Sequence, residues 1–532
     1  MSRFLRYKLR AGIIFGIAID YFYLRMMYQK GWTMNSSEAY EQLSAHSKEA
    51  AYLSSAIGLL HWDQRTQIPP EGHAHRVNVL SYLAKVRHRM VTDPRIGEWL
   101  ADLEGSDLTR DPLSVSAVNF REWRRSYDRA TKISEKLAVE IARATAEGQS
   151  VWEKARPLND WKTFAPCLER IVSLKREEAE ALGYEDEPYD ALLDAYEQGE
   201  TVKGLRPVFN TLTQALVGLL ERIKGSSKRA RISMEERRFP IADQESFAIE
   251  VAKRIGYNFQ GGRLDISAHP FTTGLGPGDV RITTRYSEND FGEAFFAVVH
   301  EAGHGIYHQG LPLEHWGSPF CRPISLGINE SQSRMWENLV ARSMPFWGHF
   351  YPEAHARFAS LGDVPLEDFY FSVNQVRPSL IRVDADEVTY NLHILLRFEL
   401  EVLMCRGDLD VKDLPSAWNE KMETYLGLTP PDYAQGVMQD VHWSSGSIGY
   451  FPTYTLGNLY SAQFFASAEQ DLGSLDEQMG RGDFTPLREW LRDKIHSQGS
   501  RYLPKDLVKE VTGENMNPSY LIEYLERKYG AL

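Results

Sequence analysis

The stretch FGEAFFAVVHEAGHGIYHQG, residues 291–310, decides how this chain is read. It contains His300-Glu301-Ala302-Gly303-His304, an H-E-x-x-H pattern. On an α-helix, positions i and i+4 share one face, so both imidazoles can reach a single ion. Glu301 flanks that face, where a carboxylate can take a proton from metal-bound water. Asp290 reads as an N-cap with Glu293 three residues on. Ala294, Phe295, Phe296, Val298 and Val299 supply an apolar body, so the pattern predicts a helix. A motif this short also occurs in helices whose histidines only satisfy core hydrogen bonds, so the rest of the chain has to decide.

A catalytic zinc takes three protein ligands and keeps a fourth position for water. His308 lies four residues past His304. Zinc sites with a third histidine, however, place glycine and then histidine three and six residues after the second one. Those positions are Tyr307 and Gly310 here. A glutamate from a following helix is the other solution, and Glu330, at the start of a helix through Trp336 and Leu339, fits it. Glu337 is its rival on the same helix, and Glu330 with Arg334 also reads as an ordinary i,i+4 pair.

The chain has 532 residues, with 43% apolar and 25% charged, which suits a large soluble globular protein. A formal net charge of −13 argues against a nucleic-acid binder, which would show a basic face. Cys167, Cys321 and Cys405 lack C-x-x-C spacing and read as reduced thiols of a cytoplasmic protein. Residues 1–33 differ in character, with six basic residues and one acid. Their apolar run, 11–19, is far shorter than the ~20 residues that span a bilayer. No small-x-small cleavage site follows it. Met34 opens a polar, helix-like run, so 1–33 are expected to lie outside the fold. A stretch included by a misplaced start codon is the favoured reading, over a weak membrane-surface anchor or an export signal, and 34–532 reads as a single catalytic domain.

Helical spacing dominates: from Ser37 to about Leu60, through 76–90 and 112–147, and across 150–225 with breaks expected at Pro157, Pro166 and Gly183. Trp62 and Asp63 read as a buried aromatic beside a helix end. Character changes between Gly261 and Tyr286. There, 264–267 and 279–284 alternate as strands do, joined through Gly274, Gly276, Pro277 and Gly278. The expected fold is therefore mainly α with a small antiparallel β-sheet beside the metal helix.

Six elements in order make the chain resemble a known family. They are His269-Pro270-Phe271; Asp279-x-Arg281-x-Thr283; His300-Glu301-x-x-His304; Glu330-Ser331-Gln332; Ile381-Arg382-x-x-Ala385-Asp386; and Gly436-x-x-Gln439-Asp440-x-His442-Trp443. Gly499-Ser500-Arg501-Tyr502 and Tyr524-Leu525-x-x-Lys528-Tyr529 add to them. Together these resemble the carboxypeptidase Taq family of zinc metallocarboxypeptidases, from about Met34 to the C-terminus. Asn329 departs from the pattern, which often has histidine before the glutamate.

The resemblance implies a large helical body divided by a deep active-site cleft, one Zn²⁺ per chain (Co²⁺ substituting), a homodimer, and release of single residues from peptide C-termini with broad specificity. It places zinc on His300, His304 and Glu330, with Glu301 as general base. Tyr454 and His442 are the expected oxyanion donors, with Tyr450 and Tyr460 competing. Arg382, then Arg281, is expected to hold the substrate carboxylate, unless these pair with Asp384 and Asp279. His269 lines the substrate groove or caps the hairpin. Angiotensin-converting enzyme and neurolysin-type oligopeptidases are similar in architecture, which keeps an endopeptidase reading open. A non-catalytic metal-binding helical protein would not need Glu301.

Overall fold

Residues 35–530, apart from 229 and 235, are described by a computed structural model. The expected N-terminal extension, 1–33, lies outside the described residues. Six helices matter for the site: α1 (Ser36–Thr66), α2 (His73–Val91), α3 (Phe291–Gln309), α4 (Leu326–Arg334), α5 (Thr389–Arg406) and α6 (Pro452–Leu472). Three strands, β1 (Gly262–Ile266), β2 (Thr272–Gly276) and β3 (Asp279–Thr284), precede α3. No described helix is long and apolar enough to cross a membrane. The three cysteines are unpaired.

The sheet is mixed, not antiparallel as expected. Its order is β1-β3-β2, with β2 antiparallel and β1 parallel to β3. The turn explains the difference. Gly276 pairs with Asp279, so only Pro277 and Gly278 make the reversal, and the antiparallel partner of β3 must be the residues just before it. The glycine-rich link therefore forms a strand itself, and β1 takes the other edge of β3. His269-Pro270-Phe271 crosses between them. Its path is tied to Thr283, whose Oγ1 accepts from the Phe271 amide (2.9 Å) and from the Ser267 hydroxyl (2.7 Å).

Proline 166 does not break its helix, which runs Trp161–Leu182. It sits in the second turn, and its missing N–H removes a single helical bond there. Helix α1 also outruns its expected end, and Trp62 is buried beneath the Arg281 guanidinium, 4.3 Å from the ring centre. Asp63 pairs with Arg76 of α2 at 2.6 Å.

Asp290 caps α3 as its sequence predicts, accepting from the Glu293 amide at 2.9 Å. An aromatic cluster then seats the first turns. Phe291 and Phe295 stack with centroids 5.2 Å apart, and Phe247 and Trp347 lie 5.5 and 5.2 Å from Phe295. Further along, α3 meets α4 backbone to backbone. A Cβ on Gly303 would lie 2.7 Å from Ser333 Cα and 2.8 Å from the Gln332 carbonyl oxygen. On its other side α4 meets α6, where a Cβ on Gly457 would lie 2.6 Å from Glu330 Cβ. Replacing Gly303 with alanine should therefore push two backbones apart. We expect a loss of ~1–3 kcal/mol in unfolding free energy, as for an overpacked core, together with lower metal content. Unchanged melting and unchanged metal content would show that α4 yields freely at this crossing.

Candidate metal centre

Helices α3 and α4 bring three side chains together. The Nε2 atoms of His300 and His304 lie 3.8 and 3.6 Å from Glu330 Oε2, and the three donor atoms all lie within 4.8 Å of one another. Bonds of about 2.1 Å in a tetrahedral set put ligand atoms roughly 3.4 Å apart. Two imidazoles and one carboxylate at this spacing fit a divalent ion. His308 lies outside the trio against Gly274 of β2, and burial lowers its pKa to about 4.

Around the trio is a ring of charges. Glu337, weighed as a ligand from sequence, instead accepts a bond from His300 Nδ1 at 2.9 Å, which leaves Nε2 free for a metal. It sits on a π-helical continuation, Met335–Ala341, that follows α4. Arg334 bonds Glu330 Oε1 (2.7 Å) and Glu337 Oε2 (3.3 Å). Burial alone would raise the pKa of Glu330, but Arg334 and the two imidazoles hold it well below the usual carboxylate range. Burial likewise pushes His300 down, and Glu330 and Glu337 outweigh it, so its pKa is raised. His304 Nδ1 is buried with no partner among the described residues.

Glu301 stands outside the ligand trio. Its Oε2 accepts from the hydroxyl of Thr272 on β2 at 2.6 Å, so the sheet's outer strand holds this carboxylate. It is 6% exposed.

A second constellation forms where the loop 430–450 meets α5. Asp440 Oδ1 lies 2.7 Å from His442 Nδ1, which makes that nitrogen the donor and leaves Nε2 to accept from Tyr454 O–H at 3.2 Å. Burial lowers the His442 pKa against the pull of Asp440, and burial lifts the Tyr454 phenol well above its ordinary value. Both groups are therefore neutral near pH 7. Of the competing tyrosines, Tyr450 packs beside Tyr454 (5.3 Å), whereas Tyr460 is turned onto Glu197.

Arg382 pairs with Asp440 through Nε (2.6 Å) and Nη2 (3.2 Å), and donates from Nη1 to Tyr390. The partner considered from sequence was Asp384; the loop fold supplies Asp440 instead. Two of its five N–H groups carry no bond to a described residue. Arg281 forms the alternative pair with Asp279 (2.8 and 2.9 Å) against Trp62. His269 is exposed, and its carbonyl accepts from Ser267. Sequence reasoning missed Thr272, Asp440 and Arg397, which is fully buried 3.3 Å from Asp440. Thr272 follows a quoted motif and Asp440 lies within one, whereas no motif points to Arg397.

With this geometry in hand, comparison with known proteins is decisive. The carboxypeptidase Taq (M32) metallopeptidase pattern matches residues 42–529. The chain belongs to the M32 metallopeptidases. It is 54% identical over 508 residues to thermostable carboxypeptidase 1 of Thermus thermophilus, covering 94% of this chain and all of that one. Carboxypeptidase 1 of Bacillus subtilis is 38% identical over 488 residues, covering 91% and 97%. The crystal structure of the M32 carboxypeptidase from Deinococcus radiodurans superposes with a TM-score of 0.90 at 38% identity, covering 93% and 99%. Membership in the M32 metallopeptidases implies a metal ion and peptide hydrolysis.

The loop bearing His442 is clamped by a buried carboxyl of α5. Glu401 accepts from Tyr189 (2.7 Å), Trp443 Nε1 (2.8 Å) and the Gly449 amide (3.1 Å). Burial raises its pKa from 4.5 to about 7. A raised carboxyl contributes stability that is complete below its unfolded pKa and lost as pH rises through the folded one. The unfolding free energy of the wild type relative to Glu401→Gln should therefore fall as pH climbs from 4.5 through about 7. The drop should be about 3 kcal/mol at most. Denaturant titrations across that range measure it; a pH-independent difference would mean the carboxyl is not perturbed.

Proposed function

We propose that this protein is a zinc-dependent metallocarboxypeptidase that removes single residues from peptide C-termini with broad specificity. The observation that carries the reading is the separation of roles at α3. His300, His304 and Glu330 converge, while Glu301, one residue along, is held outside the trio by Thr272. A purely structural site has no use for that carboxylate.

When bound by His300, His304 and Glu330, zinc supplies Lewis acidity, lowering the pKa of a water and polarising the scissile carbonyl. Glu301 accepts the water's proton and passes it to the leaving amine, a contribution of roughly 10²–10⁴ in rate. Tyr454 turns its hydroxyl from His442 to the oxyanion that develops at that carbonyl. Asp440 holds the His442 ring in place beside it. Arg382, beside Tyr454, receives the substrate's terminal carboxylate through the N–H groups that Asp440 and Tyr390 leave free, and Arg281, paired with Asp279 against Trp62, is the second choice. His269 lines the approach. Broad specificity and a homodimer rest on the resemblance alone and belong to the same proposal.

Chelation should abolish peptidase activity, and zinc or cobalt should restore it. Glu301→Gln should keep its metal yet lose at least ~10² in rate. Loss of metal from that variant would make Glu301 a ligand and reverse the assignment.

The carboxypeptidase reading turns on the terminal carboxylate. Amidating a peptide's C-terminus removes a charge-assisted contact of about 1.5–3 kcal/mol, roughly 10- to 150-fold in kcat/KM. Arg382→Ala also frees Asp440, so absolute rates will fall. The informative quantity is the acid-to-amide ratio within each protein, which should be large in the wild type and near one in the variant. Equal ratios would move the role to Arg281. A wild-type ratio near one, with internal cleavage products in mass spectra, would favour an oligopeptidase.

A further inference from the structure

Glu197 lies in the segment after the short helix Pro188–Leu193 and is completely buried. Its carboxylate takes bonds from three donors: the Gly327 amide (2.8 Å), the Ser325 hydroxyl (3.0 Å) and the Tyr460 hydroxyl (3.2 Å). Ser325 is the N-cap of α4, and Gly327 is the second residue of that helix. The neighbouring Tyr196 carbonyl accepts from the Leu326 amide at 3.1 Å. Two consecutive residues therefore close the first turn of the helix that presents Glu330 one turn later.

The fit is tight. A Cβ on Gly327 would lie 2.6 Å from Glu197 Oε2, so the helix start must be glycine for the carboxylate to reach it. Tyr460 stands on α6, one turn after Gly457, the residue packed against Glu330. Glu197 thus joins the start of α4 to the helix behind it, and the ligand carboxylate lies between the two ties.

A buried carboxyl whose partners are all neutral is an expensive way to close a helix. Burial raises its pKa to about 8, against the three donors, with Glu200 pushing the same way as burial. An apolar residue would fill the space at lower cost. Metal sites demand ligand positions within about 0.2 Å, which gives such a tie a use.

We propose that Glu197 is a positioning residue for the metal centre: its bonds to Gly327, Ser325 and Tyr460 fix the first turn of α4 against α6 and thereby set where Glu330 stands relative to His300 and His304. The inference rests on the His300, His304 and Glu330 ligand set.

The test is zinc affinity of the metal-free protein, measured by competition with a chromogenic chelator, with unfolding of the metal-free protein followed separately. Glu197→Ala should weaken zinc binding by about 10-fold or more, the lower end seen for partners of metal ligands. Glu197→Gln keeps an acceptor for the Gly327 amide, and the two hydroxyls can reverse to accept from its NH₂, so it should restore most of the affinity. A folded Glu197→Ala protein with wild-type zinc affinity and only a lowered melting temperature would overturn the proposal, leaving a merely structural role. Should the alanine variant fail to fold, Tyr460→Phe removes the tie to α6 alone and should weaken zinc binding several-fold; an unchanged affinity there overturns the proposal equally. Glu330→Ala separates the two readings. It should lose zinc altogether, and if it does not, the ligand set is wrong and the inference falls with it.

Discussion

Helix α4 is held between two others, each of which meets it through a glycine. Gly303 lets α3 touch the α4 backbone, and Gly457 lets α6 close on Glu330 from the other side. Packed interiors yield little to an added methyl group, so these two contacts set the distance between the imidazole pair and the third carboxylate. The second unspecified position of the H-E-x-x-H pattern is thus not free in this chain. It is the place where one helix passes another.

Around that crossing, charge is concentrated to an extent that stability alone does not account for. Glu330, Glu337, Arg334 and Arg342 form a chain of buried or nearly buried ion pairs. Arg382, Arg397, Asp440 and His442 form another. Buried ion pairs are weak contributors to folding, because desolvation offsets most of their attraction. Their effect here is directional. Glu337 selects which nitrogen of His300 is free, and Asp440 does the same for His442.

The sheet contributes more than a wall. Its outer strand holds the Glu301 carboxylate through Thr272, and its central strand anchors the His269-Pro270-Phe271 link through Thr283. Gln439 ties the second constellation together, accepting from the Arg382 amide (2.8 Å) and from Arg397 (2.9 Å). Residues that look like separate short patterns along the chain are, in space, two clusters, each built from segments far apart in sequence.

The helical character, helix α3 with its Asp290 cap, and the convergence of Glu330 on the pair of imidazoles were all legible in the sequence, because each follows from local periodicity, capping chemistry or ligand spacing. Family resemblance made the remaining polar motifs recognisable without saying what they touch. What the sequence could not decide were partnerships across the fold. Strand direction depended on a two-residue turn that made β2 from an apparent linker. Arg382 found Asp440, 58 residues away, and not its neighbour Asp384. Glu337 became an orienting partner because a π-helical turn brings its carboxylate to His300 Nδ1. Periodicity reports which face of an element is buried, whereas the identity of the group waiting on the other side is a property of packing, and only the tertiary structure supplies it.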